Sequence, residues 1–121
     1  MLNILNRTIL VLFIAFLAAC GDDSSSSVDC SGVVATYNTT VSNILNNSCA
    51  FSGCHESSTL AGNVDFSTYQ TSSNYLKKAS NQFLCSINHN AGCIEMPQGF
   101  PKLDTDLIKN LTCWYNNGFP Q

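Results

Sequence analysis

Asn47-Ser48-Cys49-Ala50-Phe51-Ser52-Gly53-Cys54-His55 is the stretch on which the reading of this chain turns. It places two cysteines with four residues between them, and a histidine directly after the second. Two thiols in such a pattern can each form a thioether with a vinyl group of a haem, and the adjacent histidine can then reach the iron from the proximal side. The usual spacing has two residues between the cysteines. On this reading Cys49 and Cys54 are the attachment points and His55 is the proximal iron ligand.

Outward from that stretch the chain suggests helices separated by long loops. From Val33 to Leu45 the apolar residues Val33, Val34, Tyr37, Val41, Ile44 and Leu45 fall at helical spacing, which predicts a first helix ended by Asn46, Asn47 and Ser48. A second helix is expected from Ser67, with Gln70 completing an S-x-x-Q capping box, and is expected to end before Phe83. In the third, Asp104 serves as N-cap, Asp106 favours the positive end of the dipole, and Leu107, Ile108, Leu111, Trp114 and Tyr115 form the apolar face. Gly118 supplies the stop. Strand-like alternation is weak, so the fold class is mostly α: about three helices with long loops around one haem. Three short helices carry too little apolar side chain to hold such loops easily, and a central cofactor would supply the missing core.

The N-terminal segment has a different character. Arg7 is followed by the uncharged apolar run from Ile9 to Ala19, which is too short to span a bilayer comfortably and has the organisation of an export signal. It ends in Leu17-Ala18-Ala19-Cys20, which resembles the lipobox of bacterial lipoproteins, in which the peptide is cut before the cysteine and its sulfur is acylated. The expected organisation is a signal peptide over 1–19, a lipidated Cys20 with an acidic, serine-rich tether over 20–29, and a domain over 30–121. The tether gives an r.m.s. reach of ~16 Å. Gly21 after Cys20 resembles lipoproteins sent to the outer membrane, and Asp22-Asp23 is similar to the acidic export tags of some surface lipoproteins. The location expected is therefore the cell envelope, with the membrane as partner through the lipid.

From Cys20 onward there are four lysines, no arginine and eight acids, which leave a formal charge of −4. Nucleic acid is excluded as a partner, because phosphate binding needs clustered cations. Asn38-Thr39-Thr40, Asn46-Asn47-Ser48 and Asn110-Leu111-Thr112 match the glycosylation sequon, and in a bacterial lipoprotein they reflect only a chain rich in asparagine and threonine.

Taken together, Ile44 to Cys49, Ser52-Gly53-Cys54-His55, Gly62 to Tyr69, Met96-Pro97-Gln98-Gly99 and a final helix carrying Trp114 resemble the small monohaem c-type cytochrome domains of bacterial lipoproteins. The resemblance spans most of the chain after Cys20. It implies one covalent haem c, Met96 as second axial ligand of the iron, and one-electron transfer outside the cytoplasm to a redox partner protein. It implies a carrier rather than an enzyme, an open catalytic haem arising only if Met96 is not a ligand. His89 is the weaker alternative to Met96. Seven cysteines in an exported chain need seven fates. With Cys20 lipidated and Cys49 and Cys54 on haem, Cys30, Cys85, Cys93 and Cys113 remain for two disulfides. A Cys85–Cys93 bridge would close a nine-residue loop worth ~2.5 kcal/mol, and Cys30 would then pair with Cys113.

Two further readings compete. One is a haem-free, disulfide-stabilised lipoprotein acting as a binding or structural module, in which Cys49 and Cys54 form or exchange disulfides. The other is a zinc site built from Cys49, Cys54, His55 and one of Cys85, Cys93 or His89.

Overall fold

The structure, a computed structural model, describes residues 27–121; the expected signal peptide, Cys20 and most of the tether lie outside those residues. Among the described residues the fold is mostly α with no strand. A π-helical turn at Tyr37–Val41 leads into α1 (Ser42–Ser48), a 3-10 turn follows at Ala61–Asn63, and two longer helices complete the domain: α2 (Tyr69–Ile87) and α3 (Thr105–Asn116). Among the described residues no helix is long and apolar enough to cross a membrane.

The first helix begins later than the apolar spacing suggests. Thr36 stands in extended conformation and its hydroxyl accepts from the Thr39 backbone N–H, so the turn starts at Tyr37. Val34 is left 82% exposed while Tyr37, Val41, Ile44 and Leu45 are buried. The stripe is real, but its first two valines do not belong to the helix.

The cap of α2 is offset by one residue from the expected Ser67–Gln70 pair. Thr68 holds the extended N-cap conformation, and its hydroxyl and that of Thr71 each accept from the other's backbone N–H. Ser67 is occupied elsewhere, its hydroxyl accepting from the Ser57 N–H at 3.0 Å. The helix also continues past Phe83 to Ile87, through a break at Ala79 (φ −135°, ψ 31°). Leu76, Phe83 and Ile87 extend one apolar face across that break, and all three are buried. In α3, Asp104 occupies the N-cap position without a side-chain cap bond, and Asn117 and Gly118 end the helix.

Packing centres on Trp114, which is fully buried. Its ring lies 5.0 Å from Phe119, 6.0 Å from Tyr37 and 6.4 Å from Tyr69 between centroids. The tail after α3 turns back over this cluster. The Trp114 indole N–H donates to the Pro120 carbonyl at 2.9 Å, the Tyr37 backbone N–H donates to the same carbonyl at 2.9 Å, and the Tyr69 hydroxyl donates to the Phe119 carbonyl at 2.9 Å. Every polar tip among these rings but that of Tyr37 has thus a named partner in the tail, which suits aromatic residues that are buried for their apolar bodies.

Two disulfides staple the chain: Cys30–Cys113, with Cα atoms 5.5 Å apart, and Cys85–Cys93, with Cα atoms 5.9 Å apart. The first ties the start of the domain to α3 beside Trp114. The second ties the end of α2 to the loop that follows it.

Candidate functional site

Apart from the Trp114 cluster, and sharing none of its rings, a cleft of about 400 Å³ opens between three segments: the loop after α1, the second half of α2 and the loop from 94 to 100. Each wall has a local cause. After α1 the chain folds back on itself, with the Cys54 N–H donating to Phe51 (2.9 Å) and the His55 N–H donating to Cys49 (3.0 Å). The turn passes through Gly53 at φ +85°, a left-handed conformation that glycine adopts without strain. The Phe66 N–H then donates to the His55 carbonyl at 2.8 Å, which fixes Phe66 beneath the histidine.

Phe66 is the hub of this region. Its ring makes edge-to-face contacts with His55 (5.3 Å), Tyr75 (5.5 Å) and Phe83 (5.7 Å). Phe83, Ser86 and Ile87 on α2 form the floor. The third wall is pinned to the end of α2 by the Cys85–Cys93 bridge and by the Met96 N–H donating to the Ser86 carbonyl at 3.1 Å. At the lip Phe100 stands edge-on to Phe51 (5.9 Å), with Phe100 58% and Ile94 62% exposed. Large apolar side chains are therefore held open around a concavity rather than closed on one another.

The structure brings Cys49, Cys54, His55 and Met96 to this one cleft. Cys49 and Cys54 are free thiols, Cys49 buried and Cys54 half-buried. Burial first, and the neighbouring Cys54 second, push the Cys49 thiol up to about 12. The Nδ1 atom of His55 is buried without a hydrogen-bond partner. His89 is apart from the cleft. It adopts φ +53°, its Nε2 lies 3.1 Å from the Met96 carbonyl, and its Nδ1 lies 3.7 Å from a Glu95 carboxylate oxygen.

These positions correct the expectation of a haem-bearing electron carrier. Among the described residues no group of three or more His, Cys, Asp or Glu side chains gathers where it could hold a metal ion. A ligating histidine is commonly held in orientation by donating its second ring N–H to a protein carboxylate or carbonyl, and His55 Nδ1 has no such protein partner. The alternative ligand His89 is engaged with Met96 and Glu95. Four cysteines are consumed in two disulfides, and that also removes Cys85 and Cys93 from any zinc set. The domain is a disulfide-stapled, mostly helical module and not a typical c-type haem fold. The assignments of haem c, of iron ligation by His55 and Met96, of thioethers at Cys49 and Cys54 and of electron transfer are corrected with it, and Met96 stands as a half-buried residue of the cleft wall.

Comparison with known proteins finds no matching family model, no matching curated protein and no matching solved structure. Sequence reasoning named four residues of the cleft but missed Phe51, Phe66, Phe83, Ile87, Ile94 and Phe100. A signal existed for two of these. The spacing of Leu76, Phe83 and Ile87 continues the period of α2 beyond its expected end. Phe51, Phe66, Ile94 and Phe100 lie in loops, where no periodicity points to burial.

Proposed function

We propose that this chain is a disulfide-stapled binding module, tethered to a bacterial envelope membrane through an acylated Cys20, that takes a small uncharged aliphatic or aromatic molecule in the cleft. The observation that carries the reading is the cleft itself: about 400 Å³, walled by Phe51, Phe66, Phe83, Ile87 and Phe100. A concavity of this size, mostly apolar and with few polar groups, is what small-molecule sites usually look like. A charged ligand would lose its hydration here and find no opposite charge among the wall residues. The two disulfides support a place outside the reducing cytoplasm, where such bridges persist.

The test is a titration of the full chain with uncharged aromatic and aliphatic compounds, followed by thermal shift. Saturable stabilisation is expected, and it is lost in an Ile94→Ser/Phe100→Ser variant whose own midpoint is unchanged, since both side chains are exposed at the lip. Absence of saturable stabilisation by any such compound contradicts the reading. So does equal stabilisation of the lip variant.

A further inference from the structure

We infer that Cys49 and Cys54 form a dithiol clasp that closes into a third disulfide by exchange with a low-molecular-weight disulfide, Cys54 being the entry thiol and Cys49 the resolving one. The backbone supports this pairing. The residues between them fold into a closed turn, with the His55 N–H on the Cys49 carbonyl at 3.0 Å and the Cys54 N–H on the Phe51 carbonyl at 2.9 Å. The Ala61 N–H caps the Cys54 carbonyl at 3.0 Å, so the far end of the turn is fixed as well. Both side chains face the same cleft, and their proximity is felt in the upward push that Cys54 exerts on the Cys49 thiol.

The two thiols differ in access. Cys54 is half-buried at the wall, whereas Cys49 is 8% exposed. A reagent reaches Cys54 first. The other four described cysteines are already bridged, so this pair alone among them is open to oxidation.

The exchange balances in two steps. Cys54 gives its proton to solvent, and its thiolate attacks one sulfur of the reagent. A Cys54–reagent bond forms, the reagent's S–S bond breaks, and the released thiolate takes up a proton. Cys49 then loses its proton and attacks Cys54 Sγ. The Cys49–Cys54 bond forms, the mixed disulfide breaks, and the second reagent thiolate leaves and is protonated. The protein gives up two electrons and two protons, which reduce the reagent to two thiols. Burial favours the neutral form of Cys49, which slows the second step.

The experiment treats the full chain with oxidised glutathione and follows intact mass and peptide mapping over time. The expected wild-type course is a transient glutathione adduct on Cys54, followed by a product lacking two hydrogens, with no added thiol and a Cys49–Cys54 crosslink. Cys49→Ser is expected to retain the adduct on Cys54, and Cys54→Ser to leave Cys49 unmodified. A wild-type adduct that persists at the end of the reaction overturns the inference. So does a crosslink from either thiol to Cys30, Cys85, Cys93 or Cys113, or a complete lack of reaction. The readout is covalent and needs no ligand, so its failure is distinct from failure of the binding reading.

Discussion

The two ends of this small domain use aromatic residues in opposite ways. Around Trp114 the rings of Tyr37, Tyr69 and Phe119 close on one another, and the tail satisfies the indole and the Tyr69 hydroxyl. Around Phe66 the rings of His55, Tyr75 and Phe83 also meet edge to face, but they end at open space, and a ring nitrogen of His55 is left without a partner. Closed packing of apolar rings lowers the free energy of the fold, while apolar walls left open to solvent forgo that gain. The Trp114 end therefore holds the domain together, and the Phe66 end is the part whose cost binding could offset.

The disulfides follow the same division and offer the strongest way to break it. Removing Cys30–Cys113 by a Cys30→Ser/Cys113→Ser change frees the longest loop, and the chain-entropy model puts the loss at about 4.5 kcal/mol. The expected outcome, read by urea denaturation, is a domain near the limit of folding. Removing Cys85–Cys93 is expected to cost less, about 2.5 kcal/mol, because the loop is short. That bridge also holds the wall carrying Ile94 and Met96 against α2, so its loss is expected to weaken ligand binding more than stability. A ranking of the two bridges in the reverse order would remove the distinction between a holding end and a binding end.

The smallest effect sharpens the account locally. Thr68→Ala removes one half of the reciprocal cap at the start of α2 and is expected to cost about 1 kcal/mol by denaturation. Ser67→Ala, which the S-x-x-Q pattern would name as the cap, leaves that cap intact and loses only the bond from the Ser57 N–H. A larger loss for Ser67 than for Thr68 would contradict the observed cap.

What could be read from the chain follows from how local the cause is. Helix periodicity is local, and it marks α3 with its stop at Gly118 as well as the buried stripe of α1. Caps depend on the conformation of single residues, so a threonine pair outcompetes the serine and glutamine one position earlier. The cleft was partly legible because Cys49, Cys54 and His55 are contiguous enough to be noticed together and Met96 stands out beside Pro97. What these residues do was not legible. A cysteine pair followed by histidine is a pattern in one dimension, whereas ligation requires a set of side chains converging in three and a bonded second ring nitrogen. Among the described residues no three His, Cys, Asp or Glu side chains gather where they could hold a metal ion, and the His55 Nδ1 has no protein partner. Phe66 and Phe100 are invisible to periodicity because loop backbone, rather than helix register, aims them.

The central claim is that the open end of the domain binds by burying apolar surface. Calorimetric titration of an uncharged aromatic ligand at several temperatures tests this most directly, because burial of apolar surface carries a negative heat-capacity change whatever the sign of the enthalpy. The account predicts a clearly negative value for the wild-type chain, reduced towards zero when Ile94 and Phe100 are replaced by serine. Binding with no heat-capacity change in the wild type, or no binding at all, would contradict it.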